Sequence, residues 1–238
     1  MEHAGILIDR DYLEKLNADF GQRMTALERT IQQLAGEEFN VNSNLQLQRI
    51  LFEKLALPKT RKIKTGYSTD AAELEKLAGS HAIIASLLEY REVSKLKNGF
   101  SEMLLALIDP QSRRIHTTYE QATAATGRLS SSAPNLQNIP IRGELGRQIR
   151  RAFIAPPGHV LLSADYSQIE LRVLAHLSED EAFCQAFAEG HDFHATIAAK
   201  VYGVELSQVT SAMRNQVKQF SYGIAYGMSL ARSPTRQL

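Results

Sequence analysis

Between Asp9 and Gly36 the apolar residues Leu13, Leu16, Phe20, Leu27, Ile31 and Leu34 recur at spacings of three, four and seven. That period fits one regular structure, a long amphipathic α-helix. Asp9 offers an oxygen to cap its start, and Gly36 can end it in the left-handed conformation. At about 1.5 Å per residue the helix would reach roughly 37 Å. A second long pattern runs over 81–108, where Ile83, Ile84, Leu87, Leu88, Leu96, Leu104 and Leu107 punctuate a charged face. Two such helices, joined by a smaller helical and loop region, predict an elongated antiparallel projection.

Composition narrows the class further. With 238 residues, 44% hydrophobic and 22% charged, the chain reads as a soluble globular protein that can bury a real core. No apolar run approaches the roughly 18 residues of a membrane span, and no secretory signal precedes the first polar residues. The single cysteine, Cys184, excludes an internal disulfide and is expected to be a buried, inert thiol of a reducing cytosol. A net charge of only +1 means that a polyanion must be met by local patches. One patch is Lys59, Arg61, Lys62 and Lys64 in "KTRKIKTGYST"; the other is Arg142, Arg147, Arg150 and Arg151 in "RGELGRQIRR". The first has the cations, hydroxyls and glycine of an exposed loop able to track phosphates, and equally of a solvated basic turn.

Beyond Asp109 and Pro110, "RRIHTTYEQATAATGRLSSSAPNLQNIPIR" alternates short β-favouring pieces with Gly, Ser, Asn and Pro, the texture of extended segments and ordered loops. "HVLLSAD" then reads as a strand, followed by a tight turn and a helix through Ile169, Val173, Leu174 and Leu177. Asp165, at the end of that strand, would hold its carboxylate toward a cleft, where a hard cation such as Mg²⁺ takes oxygen ligands. A cap for the following helix explains an isolated aspartate as well. The remainder after Glu179 is helical in pattern, with Ser207 or Thr210 available to cap the helix that carries "RNQVKQFSYGIAYG". There Arg214, Lys218, Tyr222 and Tyr226 stand at four-residue intervals, with Gly223 and Gly227 behind the rings.

Together "DYSQIELR", "RNQVKQFSYGIAYG" and "TGRLSSSAPNLQNIPIR" resemble family A DNA polymerases of the bacterial DNA polymerase I type, from near residue 1 to about residue 229. The resemblance implies an α+β, mostly helical chain: an incomplete right-hand polymerase fold with long thumb helices, a partial antiparallel palm sheet and a fingers helix. Residues 1–110 would be thumb-like, 111–178 partial palm and 179–238 partial fingers. The implied activity is template-dependent transfer of deoxynucleotides to a primer 3′-hydroxyl by a two-metal mechanism, in replication and repair. Primer-template DNA and deoxynucleoside triphosphates are the implied partners, with no membrane. The implied setting is a bacterial cytoplasm, at the nucleoid, and the complete protein would be monomeric.

By the same resemblance, Asp165 bridges two Mg²⁺ ions and the carbonyl of Tyr166 binds one of them. Arg214 and Lys218 hold the triphosphate, and Lys218 is also placed to donate a proton to pyrophosphate. Tyr222 and Tyr226 lie against sugar and base. Four residues of helix advance about 400° and 6 Å, so this row forms a stripe roughly 18 Å long, comparable to an extended nucleoside triphosphate. An ordinary amphipathic helix with buried tyrosines accounts for the rings but not for two cations in line with them. Glu170 matches a steric gate against the ribose 2′-hydroxyl, although a solvent-facing helix glutamate has the same spacing. Gln168, Arg142 and His194 match further nucleotide contacts. His191, Asp192 and His194 also suggest a metal cluster, but a zinc site needs more ligands than they supply. Arg128 matches an arginine that enters the minor groove, where similar acceptors occur for every base pair. Asn135, Gln137 and Asn138 would add donors beside it, or serve simply as loop amides. Lys59, Arg61, Lys62 and Lys64 complete the expected DNA contacts. Ala124 stands where the family often has threonine.

The family pattern also has a His-Asp-Glu segment with a second palm carboxylate. It is missing before Leu238, and Pro234 breaks the expected continuation. The chain is therefore expected to be partial, inactive alone and poorly soluble, or else a noncatalytic DNA- or nucleotide-binding remnant. A single-subunit RNA polymerase relative would share the palm logic, but Glu170 as a gate favours deoxynucleotides. Tyr222 stands where phenylalanine is usual in the family, and its hydroxyl would occupy the space near the sugar 3′ position. The intact enzyme should accept dideoxynucleotides readily and Tyr222→Phe should lower chain-termination frequency; equal frequencies would contradict this placement.

Overall fold

A computed structural model of the chain describes residues 1–141, 143–188 and 192–225. The elements follow in the order β1 (Ile6–Leu7), α1 (Arg10–Ala35), α2 (Asn44–Gln48), β2 (Lys62–Ile63), β3 (Gly66–Tyr67), α3 (Ala71–Glu75), α4 (Ala82–Leu96), α5 (Glu102–Ala106), β4 (Arg114–Ile115), β5 (Thr118–Glu120), β6 (Ser130–Ser132), α6 (Glu144–Arg151), α7 (Ile169–Ser178), α8 (Glu181–Ala188), α9 (Phe193–Tyr202) and α10 (Ser211–Ala225). Two compact units divide them, Met1–Leu162 and Ser163–Leu238.

Helix α1 has the limits that its sequence sets. The Asp9 carboxylate accepts the N–H of Tyr12 at 3.0 Å, and Gly36 takes φ 69°, from which its N–H closes the last turn. The second long pattern is one helical run with an irregularity: α4 passes through a wide π turn at Lys97–Ser101 into α5. Its start is capped by His81, whose Nδ1 accepts the N–H of Ile83 at 3.1 Å. In the π turn Ser101 is buried, and its hydroxyl reaches Asn17 Oδ1 of α1 at 2.8 Å.

α1 and the α4–α5 run pack antiparallel. Leu13, Leu16 and Phe20 meet Val93, Leu96, Phe100 and Leu104 in one cluster, while Ile31 and Ala35 meet Ile83, Ile84 and Leu87 in the other. The first cluster extends to Ile115 of β4, to Ile149 of α6 and to Ala152, which ends that helix. The second takes in Leu47, Ile50, Leu51 and Leu74. β1 pairs with β4, β2 with β3 and β5 with β6, all antiparallel. The basic "KTRKIKT" segment is accordingly a hairpin, held to the body where Gln48 Oε1 accepts the N–H of Tyr67 at 3.0 Å. Gly66, at φ 123°, leaves the room that the Gln48 side chain occupies.

Two expectations are corrected. "HVLLSAD" forms no strand: residues 159–166 carry no regular structure, and Val160 and Leu162 are 86% and 90% exposed. A strand is stabilised by its hydrogen-bonded neighbour, and every ladder among the described residues is made by other segments. Cys184 is exposed, not buried: it lies on α8, with its Sγ 3.4 Å from the carbonyl of Ala175.

The second unit carries α7 to α10, with Leu171, Ala175, Phe193, Ala198 and Val217 buried. Phe183, Phe187 and Phe193 stack on one another at centroid distances of 4.2 to 5.6 Å. No helix among the described residues is long and apolar enough to cross a membrane. Leu87 is fully buried where the long helices meet, so Leu87→Ala should cost about 2 to 5 kcal/mol. Loss of the cap in Asp9→Ala should cost about 1 kcal/mol. Urea unfolding of the chain measures both; a Leu87→Ala midpoint like that of the parent would contradict the packing.

Candidate functional site

The start of α9 and the first half of α10 hold a cluster of charged groups. Thr210 caps α10, its hydroxyl accepting the N–H of Met213 at 3.2 Å. Asp192 caps α9, with Oδ1 accepting the N–H of Ala195 at 3.1 Å. The other carboxylate oxygen of Asp192 takes Nε and Nη2 of Arg214 at 2.8 and 2.7 Å. His194 is completely buried, and Lys218, one turn beyond Arg214, is exposed.

Electrostatics follows from that arrangement. Burial pushes His194 below its ordinary pKa; Asp192 opposes the shift, while Arg214 and Lys218 reinforce it, so the imidazole is neutral at pH 7. Burial would raise the Asp192 carboxyl, but the hydrogen bonds from Arg214 and the Ala195 N–H outweigh it and hold the group below the usual range. The cluster is thus one carboxylate, one neutral imidazole and two cations, a net positive site with donors for an anion. Tyr222 follows on α10, while its side chain and the whole of Tyr226 lie outside the described residues, as do Arg142 and His191. Arg214, Lys218 and His194, separated in sequence, are brought into mutual electrostatic range.

Asp165 and Tyr166 lie on the exposed irregular segment before α7, and the carboxylate of Asp165 takes part in no hydrogen bond or ion pair among the described residues. Gln168, at the head of α7, has a left-handed backbone at φ 54°, and its side-chain Oε1 is buried with no hydrogen-bond partner among the described residues. A non-glycine residue in that region stores strain of order 1 kcal/mol or more. Glu170 is half-buried in the first turn of α7.

In the first unit, the loop carrying Asn135, Gln137 and Asn138 is fixed from inside. Thr117 and Ser131 hydroxyls lie 2.7 Å apart, both reach the carbonyl of Pro134, and Ser131 accepts the N–H of Leu136 at 3.1 Å. Asn135 Oδ1 accepts the N–H of Gln137 at 3.0 Å, and Gln137 Nε2 donates to the carbonyl of Leu129 at 3.0 Å. Their amides thus shape the loop next to the exposed Arg128, and Asn138 stays exposed. At the hairpin, Lys59 lies over the Tyr67 ring at 5.2 Å, Arg61 is 3.9 Å from Asp70, and Lys62 and Lys64 are exposed. Of the second basic patch, Arg147 and Arg151 both pair with Glu144, and Arg150 donates to the carbonyl of Ile139. Sequence reasoning missed the pairing of Asp192 with Arg214; "HDFH" signals a helix cap, but nothing local announces a contact 22 residues away.

The family model of DNA polymerase family A matches residues 10–234. The chain is a member of DNA polymerase family A. It is 50% identical over 229 residues to DNA polymerase I of Caldicellulosiruptor bescii, covering 96% of this chain and 27% of that protein. It is 49% identical over 230 residues to DNA polymerase I of Bacillus subtilis, covering 96% and 26%. Thermostable DNA polymerase I of Thermus aquaticus is 48% identical over 234 residues, covering 98% and 28%. The chain spans about a quarter of the length of these curated relatives. In structure it is similar to the POL domain of Pol1 from M. smegmatis, solved in complex with DNA primer-template and dNTP. That likeness has a TM-score of 0.85 at 44% identity and covers 96% of this chain and 41% of that one. The helical fold with small antiparallel sheets is therefore that of part of a family A polymerase domain.

Because His194 is held neutral, the folded member of this family binds fewer protons there than the unfolded chain below about pH 6.5. Stability should fall as pH drops through that value. Melting temperatures should decline from about pH 7.5 to about pH 5, and His194→Gln should shrink the decline. Equal slopes for the two proteins would show that this imidazole is not the group concerned.

Proposed function

We propose that this chain is the dNTP-binding part of a DNA-directed DNA polymerase, working in DNA replication and repair. The observation that carries the reading is the α9–α10 cluster, with Arg214 and Lys218 on one face of a helix beside a neutral His194. Two cations with the imidazole provide donors for the oxygens of a triphosphate, and by their four-residue spacing in the sequence Tyr222 and Tyr226 would lie toward sugar and base. Lys218, exposed and one turn from Arg214, would give its proton to the departing pyrophosphate.

Asp165 fits a Mg²⁺ ligand by its chemistry: an exposed carboxylate that no other described side chain engages, next to the carbonyl of Tyr166. Among the described residues no group of three His, Cys, Asp or Glu side chains could hold a metal ion by itself, so nucleotide phosphates and water would complete the shell. When bound, the metal supplies charge neutralisation on the phosphates and a lowered pKa for the attacking hydroxyl. Glu170 would exclude the ribose 2′-hydroxyl, with Gln168 and Arg142 as further nucleotide contacts.

For DNA, the exposed cations Lys59 and Arg61, leading into the β2–β3 hairpin, and Lys62 and Lys64 within it suit phosphates. Arg128, with the loop of Asn135, Gln137 and Asn138, suits the minor groove at the primer end. Residues 1–110 then serve as thumb, 111–178 as part of the palm and 179–238 as part of the fingers, in a monomer of the bacterial cytoplasm acting at the nucleoid. In the intact polymerase, Lys218→Ala should lower the primer-extension rate about a hundredfold or more, and Asp165→Ala should remove Mg²⁺-dependent extension. Extension at the parent rate in either variant would overturn the reading. Nucleotide binding by the parent without any extension would leave only a noncatalytic binding module.

A further inference from the structure

The pair between Asp192 and Arg214 is poorly explained as a source of stability. Both side chains are more than a third exposed, at 38% and 37%, and ion pairs so exposed contribute about 0 to 1 kcal/mol. Its geometry is more specific than that worth suggests. Asp192 splits its two oxygens between two tasks: Oδ1 is fixed by the N–H of Ala195 at the head of α9, and Oδ2 takes Nε and Nη2 of Arg214. The carboxylate cannot swing without breaking its own helix cap. A guanidinium has five N–H donors in a rigid plane. Oδ2 occupies its Nε–Nη2 side, which leaves the edge shared by Nη1 and Nη2 for a second, bidentate partner. A further bond, from the hydroxyl of Tyr202 to Gln216 Oε1 at 2.5 Å, also ties α9 to α10.

We propose that Asp192 is a positioning residue for nucleotide binding: it clamps the side edge of Arg214 so that the end edge meets the phosphates of a deoxynucleoside triphosphate. This rests on the reading of the α9–α10 cluster as a triphosphate site. An unclamped arginine carries about 2 kcal/mol of rotamer entropy that a ligand must otherwise remove on binding. The clamp removes it in advance. Its negative charge opposes an anion, but the guanidinium stands between the carboxylate and the ligand edge. Orientation and repulsion thus have opposite signs, and binding distinguishes them.

Asp192→Ser separates the two tasks, because serine also caps a helix but is too short to hold Arg214 in this way. Calorimetric titration of the chain with dATP and Mg²⁺ should show affinity about tenfold weaker for Asp192→Ser, with the melting temperature nearly unchanged. Arg214→Ala should weaken binding at least as much, and the double variant should bind no more weakly than Arg214→Ala alone, a non-additivity that a merely structural role would not produce. If Arg214→Ala weakens binding but Asp192→Ser binds equally or more tightly, the positioning role is wrong and the triphosphate site stands. A serine effect that persists undiminished without Arg214 would equally rule out the positioning role. If Arg214→Ala leaves affinity unchanged, the site reading fails and the positioning role with it.

Discussion

The first unit depends on the contact between α1 and the α4–α5 run. A helix of 26 residues presents a long apolar stripe, and nothing within the helix can cover it. The antiparallel partner covers it from end to end, and the two core clusters sit at opposite ends of that seam. Each cluster then organises a different neighbourhood. At the α1 start, the Asp9 N–H donates to the carbonyl of Ala152 and the Tyr12 hydroxyl to that of Gln148, so α6 and the β1–β4 pair are placed by the same end of the helix. Toward the other end, α2 and the turn after it support the basic hairpin through Gln48. The candidate DNA contacts are therefore carried by small elements whose positions are set by large ones.

What could be read from the sequence was what local chemistry decides. Asp9 and Gly36 bounded α1 because a cap and a left-handed glycine act within a turn of their own position. Thr210 could be named as a cap for the same reason. Where a neighbour distant in sequence decides, reading failed. "HVLLSAD" has the composition of a buried strand, but composition does not supply a ladder partner, and the segment is irregular and exposed. Cys184 looked like an interior residue by type alone, yet its position on α8 leaves it exposed. The π turn at Lys97–Ser101 arises within an unbroken helical pattern, because its value lies in turning Ser101 toward Asn17 of another helix.

The candidate site repeats this division. The row of Arg214, Lys218 and Tyr222 was legible, since a four-residue interval on a helix is a local fact. The environment of the row was not. Asp192, His194 and Arg214 come together because α9 packs on α10, and this packing both buries the imidazole and pairs the guanidinium. Asn135 and Gln137 show the converse: their type suggested contacts with a ligand, and their amides are partly occupied in building their own loop. Gln168 combines a left-handed backbone with a buried oxygen that no described residue bonds, a local cost in the segment next to Asp165. Such costs concentrate where a chain has a task other than stability.

The central claim is that the cations of α10, set beside a neutral imidazole, receive the triphosphate of an incoming nucleotide. A crystal structure of the chain soaked with dATP and Mg²⁺ tests it most directly. Phosphate oxygens within hydrogen-bond distance of the end edge of Arg214 and of Lys218 Nζ are the expected result. A nucleotide bound elsewhere, with both cations facing solvent, would contradict it.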